Sequence, residues 1–233
     1  MASTNVKEID LAKVSLREAN VELQSLNGTD ETGAFRIKNP LGSHALACGL
    51  DAPLDIDIKG HVGYFCAGMN KSANIVIDGN AGQGVAENMM SGRVHVKGDA
   101  SQSAGATAHG GLLVIDGNAA ARCGISLKGG DIVVKGNAGH MSCFMAQAGN
   151  VVICGDAGEA LGDSLYETRI FVRGKVAGLG ADCVEKKMRK EHLEQLQALL
   201  DAAACDGMKA SEFRRYGSAR ELYNFKIENV DAY

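Results

Sequence analysis

Between residues 54 and 177 the chain runs in short bursts of alternating apolar and polar positions, each followed by a glycine. The bursts read LDIDIKG, NIVIDGNAG, RVHVKGDAS, LLVIDGNAA, DIVVKGNAG, NVVICGDAG and RIFVRGKVA. Their marker glycines are Gly60, Gly79, Gly98, Gly117, Gly136, Gly155 and Gly174, and every step is 19 residues. A second glycine column, Gly92, Gly111, Gly130 and Gly149, keeps the same step. Four positions before the marker stand Ile56, Ile75, Val94, Leu113, Ile132, Val151 and Ile170; two before it stand Ile58, Ile77, Val96, Ile115, Val134, Ile153 and Val172. A spacing of two puts both columns on one face of a strand, and columns so apolar face inward. Two positions after the marker come Val62, Ala81, Ala100, Ala119, Ala138, Ala157 and Val176, small enough to fill the inside of a corner.

A unit of this length cannot bury its own apolar face, so it must stack on its neighbours. The pattern predicts an all-β solenoid: a right-handed parallel β-helix of about seven coils, a rod about 30–35 Å long at parallel-strand spacing. Directly after the marker come His61, Asn80, Asp99, Asn118, Asn137, Asp156 and Lys175. This reads as a turn in which glycine takes positive φ and Asx tolerates the left-handed region. Directly before the marker stand Lys59, Asp78, Lys97, Asp116, Lys135, Cys154 and Arg173. The alternating sign suggests an ion-pair ladder that controls register, since a slip by one coil would set like charge over like. Each exposed pair contributes only about 0–1 kcal/mol.

Both open ends of such a stack need covers. Residues 1–53 are expected to form one, with Ser15-Leu16-Arg17-Glu18 as a capping box, Leu16, Ala19, Leu23 and Leu26 as a helical stripe, and Asn27-Gly28 as its end. Residues 54–180 form the β-helix domain. Residues 181–233 carry an amphipathic helix, with Val184, Met188, Leu193, Leu196, Leu199, Leu200 and Ala203 as its stripe, and a tail, FRRYGSARELYNFKIENVDAY. The tail mixes aromatics with arginines and is expected to lie as an arm on another subunit; the alternative folds it onto its own helix. Three positions before the marker, Val114, Val133, Val152 and Phe171 form an outward apolar strip. Either the chain's own terminal helix covers it or a partner does, and the partner reading is preferred.

Composition narrows the function. Glycine stands at 30 of 233 residues with only two prolines, and the accompanying Val and Ile indicate strands and tight turns rather than disorder. A net charge of −4, with no basic run interleaved with aromatics in the body of the chain, argues against nucleic acid. Apolar runs are too short to span a membrane, and the polar N-terminus does not resemble a signal peptide. Seven cysteines without a CxxC read as buried reduced thiols of a cytoplasmic protein. Cys66 and Cys123 share a column three coils apart, roughly 14 Å, too far for a disulfide or a shared metal.

Gly79-Asn80-Ala81-Gly82-Gln83-Gly84 invites a nucleotide-loop reading, but related turns recur in every coil and no helix follows. The histidines lack metal-ligand spacing, and Asp78 and Asp116, with Lys97 between them, fit the ladder better than a glycosidase pair. No catalytic, cofactor-binding or metal-binding residue is assigned.

The Gly-x-x-Gly turns on a period near 19 resemble the C-terminal β-helix domain of glutamate synthase, the GXGXG domain, over residues 54 to about 180. The stretch GHVGYFCAGMNKSANIVIDGNAGQGVAENMMSGRVHVKGDASQSAGATAHGGLLVIDGNAAARCGISLKGGDIVV and the ending FRRYGSARELYNF are more similar still to the glutamate-synthase-like subunit of N-methylglutamate synthase (methylamine–glutamate N-methyltransferase). The resemblance implies a non-catalytic scaffold in a higher-order hetero-oligomer of methylamine metabolism. Its partners would be a class II glutamine-amidotransferase-like subunit and an FMN-binding, glutamate-synthase-like subunit with an iron–sulfur cluster; this chain would hold no cofactor. Three other readings remain. One is the same scaffold in a glutamate synthase making glutamate from glutamine and 2-oxoglutarate, and another is the β-helical subunit of formylmethanofuran dehydrogenase. The third is an independent β-helix hydrolase or lyase.

Overall fold

The computed structural model describes residues 6–222. Each apolar burst forms a strand: β3 (Leu54–Lys59), β4 (Asn74–Ile77), β5 (Arg93–Val96), β6 (Leu112–Ile115), β7 (Asp131–Val134), β8 (Asn150–Ile153) and β9 (Arg169–Val172). Consecutive strands pair in parallel, one per coil, with like residues in register. Ile77 lies against Val96 and Val96 against Ile115. The two aliphatic columns are at most 1% exposed along all seven coils. Fully burying each such side chain stabilises the fold by about 1.5–3 kcal/mol. The corner column continues the pairing from Val62 through the five alanines to Val176. The chain is thus a parallel β-solenoid of about seven regular turns.

The corners work differently from the turn expected. The markers from Gly79 to Gly174 do not have positive φ; among the seven only Gly60 does, at 133°. Glycine is needed there because the coils nearly touch. A Cβ on Gly79 would stand 2.6 Å from Gly60 C, and one on Gly117 would stand 2.8 Å from Gly98 O and collide with Asp99 Oδ1. The residue after the marker does not take the left-handed region either. Its side chain instead accepts the N–H of its counterpart one coil on: Asp99 N–H to Asn80 Oδ1 at 2.9 Å, Asn118 to Asp99 at 2.7 Å, Asn137 to Asn118 at 2.9 Å and Asp156 to Asn137 at 2.7 Å. His61 starts this ladder through Nδ1 and the Lys175 N–H ends it.

The charged column forms only in part. Lys59 meets Asp78 at 3.2 Å and Lys135 meets Asp116 at 2.9 Å, but Lys97 makes no ion pair among the described residues. Asp116 also bonds His95 at 2.9 Å, and Arg173 pairs with Glu212 at 2.7 Å. The column therefore forms separate contacts rather than a continuous ladder.

The N-terminal segment does more than cap. β1 (Val6–Asp10) and β2 (Gly33–Lys38) add two parallel strands ahead of β3, with Ile9 over Ile37 and Ile37 over Ile58. Their offsets of 28 and 21 residues hid them from a search for 19. Between them α1 (Leu16–Gln24) carries the capping box: the Glu18 N–H reaches Ser15 Oγ at 3.2 Å and the Ser15 N–H reaches Glu18 Oε2 at 2.7 Å. The helix stops at Ser25, short of Asn27-Gly28.

The C-terminal segment closes the other end. β10 (Cys183–Lys186) precedes α2 (Lys190–Ala202), so Val184 lies on a strand rather than in the helical stripe. β11 (Arg214–Ser218) returns antiparallel to both β9 and β10. The first part of the expected arm is therefore a strand of the chain's own sheet; residues 223–233 lie outside the described residues. α2 settles the apolar strip. Val114, Val133, Val152 and Phe171 are completely buried against Leu196, Leu199, Leu200 and Ala203. The preference for a partner there is corrected: an amphipathic helix tethered to the last coil reaches this face first.

Candidate functional site

Opposite the strands, each coil closes through an arc with a repeated backbone pattern. Positions five, seven and nine after the marker have φ between 52° and 71° in six successive coils. In the first of these coils they are Phe65, Ala67 and Met69. Non-glycine residues seldom enter this region. Here the alternation turns successive N–H groups up and down the stack: Phe65 to Gln83 O at 2.8 Å, Ala67 back to Leu46 O at 2.9 Å, Met69 forward to Glu87 O at 2.8 Å. The inter-coil bonds hold the strained backbone in place, and the side chains at positions six and ten, such as Val85 and Met89, point into the core.

This arc leaves a bare apolar surface. Tyr64, Phe65, Met69 and Met90 stay 43–56% exposed on the early coils. The Tyr64 ring stacks on His44 at 4.5 Å and meets Phe65 edge-on at 6.4 Å. His44 Nδ1 accepts the Tyr64 N–H at 2.8 Å, so backbone and ring are fixed together. Large, rigid aromatics and adaptable methionines are side chains that anchor protein partners. Sequence reasoning passed over them because they fall in four different columns, and that of Phe65 holds Phe, Gly, Ser, Arg, Met and Ala in turn with no periodic signal.

The glycine-rich stretch from Gly79 to Gly84 has four of its six backbone donors committed to other coils. Asn80 N–H goes to His61, Ala81 to Asp99 O, Gly82 to Val62 O and Gly84 to Gln102 O. A Cβ on Gly82 would stand 2.5 Å from Gly63 C. These glycines let coils approach each other, which explains why the loop lacks a phosphate cradle. Among the described residues, no group of three His, Cys, Asp or Glu side chains is placed to hold a metal.

All seven cysteines are free, and six are buried. Burial pushes the Cys123 thiol up to about 12, and Cys66 and Cys143 rise for the same reason. Such thiols are poor nucleophiles. One pair went unseen in the sequence: Cys154 on the solenoid and Cys205 after α2 meet in the apolar cluster under the helix. The interaction of the two thiols raises Cys154 and lowers Cys205. The two lie 51 positions apart, and Cys154 occupies a slot of the charged column.

Among the described residues, no helix is long and apolar enough to cross a membrane. No family model matches the chain. It is 59% identical to Protein GlxC of Rhizobium meliloti (strain 1021) over 225 residues, 97% of this chain and 99% of that protein.

Proposed function

The chain belongs to the family of Protein GlxC, and from that premise we propose that it is the architectural subunit of a glutamate-synthase-like enzyme, N-methylglutamate synthase. That enzyme joins methylamine and L-glutamate into N-methyl-L-glutamate and releases ammonia. The glutamine-amidotransferase-like subunit and the FMN- and iron–sulfur-carrying subunit do the chemistry, and this chain holds them in one cytoplasmic hetero-oligomer. The observation that carries the reading is the arc wall: Tyr64, Phe65, Met69 and Met90 are locked in place by inter-coil bonds and left in water, whereas the strand wall is already covered by α2. Soluble proteins seldom leave a rigid apolar wall bare unless it is used.

Purifying the tagged chain from its native source tests this. Two companion subunits, flavin absorbance and methylamine-dependent formation of N-methylglutamate are expected. Formation of glutamate from glutamine and 2-oxoglutarate instead would move the scaffold to a glutamate synthase. A molybdenum or tungsten partner would point to formylmethanofuran dehydrogenase. Turnover by the isolated chain on a saccharide would make it an enzyme in its own right.

A further inference from the structure

A cavity of about 290 Å³ lies where the last coil, the start of α2 and β11 meet. Arg169, Lys186, Arg189, His192, Arg215 and Arg220 line it. The only carboxylate in that lining is Glu167, already paired with Arg220 at 2.6 Å. Among the described residues the other cations have little to neutralise them. Arg169 donates to the neutral Gln195 Oε1 at 2.7 Å, and Arg215 donates twice to Lys187 O, at 3.0 and 3.3 Å. Arg189 comes no nearer than 3.7 Å to Glu191, and Lys186 makes no ion pair among the described residues.

The groups also feel one another. Burial, then Arg169 and Arg189, hold Arg215 below the usual arginine range. Burial, then chiefly Arg215, hold His192 below the usual histidine range. His192 Nδ1 accepts the Arg189 N–H at 3.2 Å, so its proton sits on Nε2, which remains a donor. Concentrating positive charge this way destabilises the free chain, and an anion would relieve it.

We propose that this cavity binds a phosphoryl group, as inorganic phosphate or a phosphate monoester. Donors converge on it from the last coil, α2 and β11. A tetrahedral group with charge near −2 and several free oxygens can accept from all of them, whereas one planar carboxylate would leave most of the charge unmet. Arginine forks match phosphate oxygens in pairs. The inference is independent of the architectural reading, because it concerns the end of the stack rather than the arc wall.

Calorimetric titration of the full chain at low salt tests it, with inorganic phosphate, glycerol phosphate, glutarate and an Asp/Glu-rich peptide as probes. One saturable site is expected for either phosphate probe, with the monoester tighter if its organic part is also recognised. Arg169→Gln and Arg215→Gln should weaken it about tenfold or more. Lys186→Gln breaks no ion pair and should weaken it without lowering the thermal melt. Three outcomes would overturn the assignment: no saturation by about 10 mM phosphate, tighter binding of glutarate or the peptide than of either phosphate probe, or equal affinity in wild type and Lys186→Gln.

Discussion

Every coil has two walls, and they solve the same stacking problem by opposite means. The strand wall pairs residues of like type with alternating side chains, and its outer face is sealed by α2 over Val114, Val133, Val152 and Phe171. The arc wall alternates left-handed residues, bonds up and down in turn, and keeps Tyr64, Phe65 and Met69 in water. The difference separates stability from recognition: one wall is covered within the chain, and the other is left for contact.

Truncating one aromatic on each wall should expose that division most strongly. Phe171 is completely buried under α2, so Phe171→Ala should cost about 3–5 kcal/mol in urea unfolding. Phe65 is 43% exposed, so Phe65→Ala should stay within about 0.5 kcal/mol while weakening capture of the companion subunits. Equal losses of stability would erase the distinction between the walls.

Glycines sharpen it next. At Gly117 a methyl group meets Gly98 backbone and Asp99 of the coil below, so Gly117→Ala should cost about 3 kcal/mol. Gly124, on the arc, has φ 68° and no neighbour nearer than 3.3 Å to an added Cβ, and alanines already occupy its column at 67 and 86. Gly124→Ala should cost only about 1 kcal/mol. Matched urea midpoints for the two variants would mean that coil spacing is looser at the corner than the contacts indicate.

The smallest effect concerns charge on the strand wall. Burial pushes the Asp116 carboxyl up, but bonds from Lys135 and His95 prevail and hold it below the ordinary aspartate range. A carboxylate with a lowered folded pKa stabilises the fold above its unfolded pKa and loses that contribution as pH falls through the folded value. The stability gap between wild type and Asp116→Asn should therefore be present near pH 7 and shrink below about pH 4. A gap that stayed constant in acid would show the ion pairs to be inconsequential.

The strand wall could be read from sequence because its signal is chemical and periodic. Ile77, Val96 and Ile115 repeat in type as well as in spacing. The corner was located correctly but explained wrongly: Gly followed by Asx suggested positive φ, whereas the glycine makes room and the Asx oxygen reaches the next coil. β1 and β2 were missed because their offsets break the period. The arc was opaque because Phe65, Ser103, Arg122 and Met141 carry no left-handed signature; bonds to adjacent coils impose their conformation. The cationic cavity was half visible, since the arginines near the end of the chain stood out, yet only the return of β11 sets Arg215 beside Arg169 and Arg189.

The return of β11 also bears on polymerisation. A ladder of identical rungs running the same way is a template, and a second molecule could dock its first rung on the last rung of another to make a fibre without end. Here β11 runs against both of its neighbours, and the last rung, β10, is only four residues long and carries Glu185 and Lys186. So short and charged an edge is a poor template for another molecule's first rung, which works against growth into filaments.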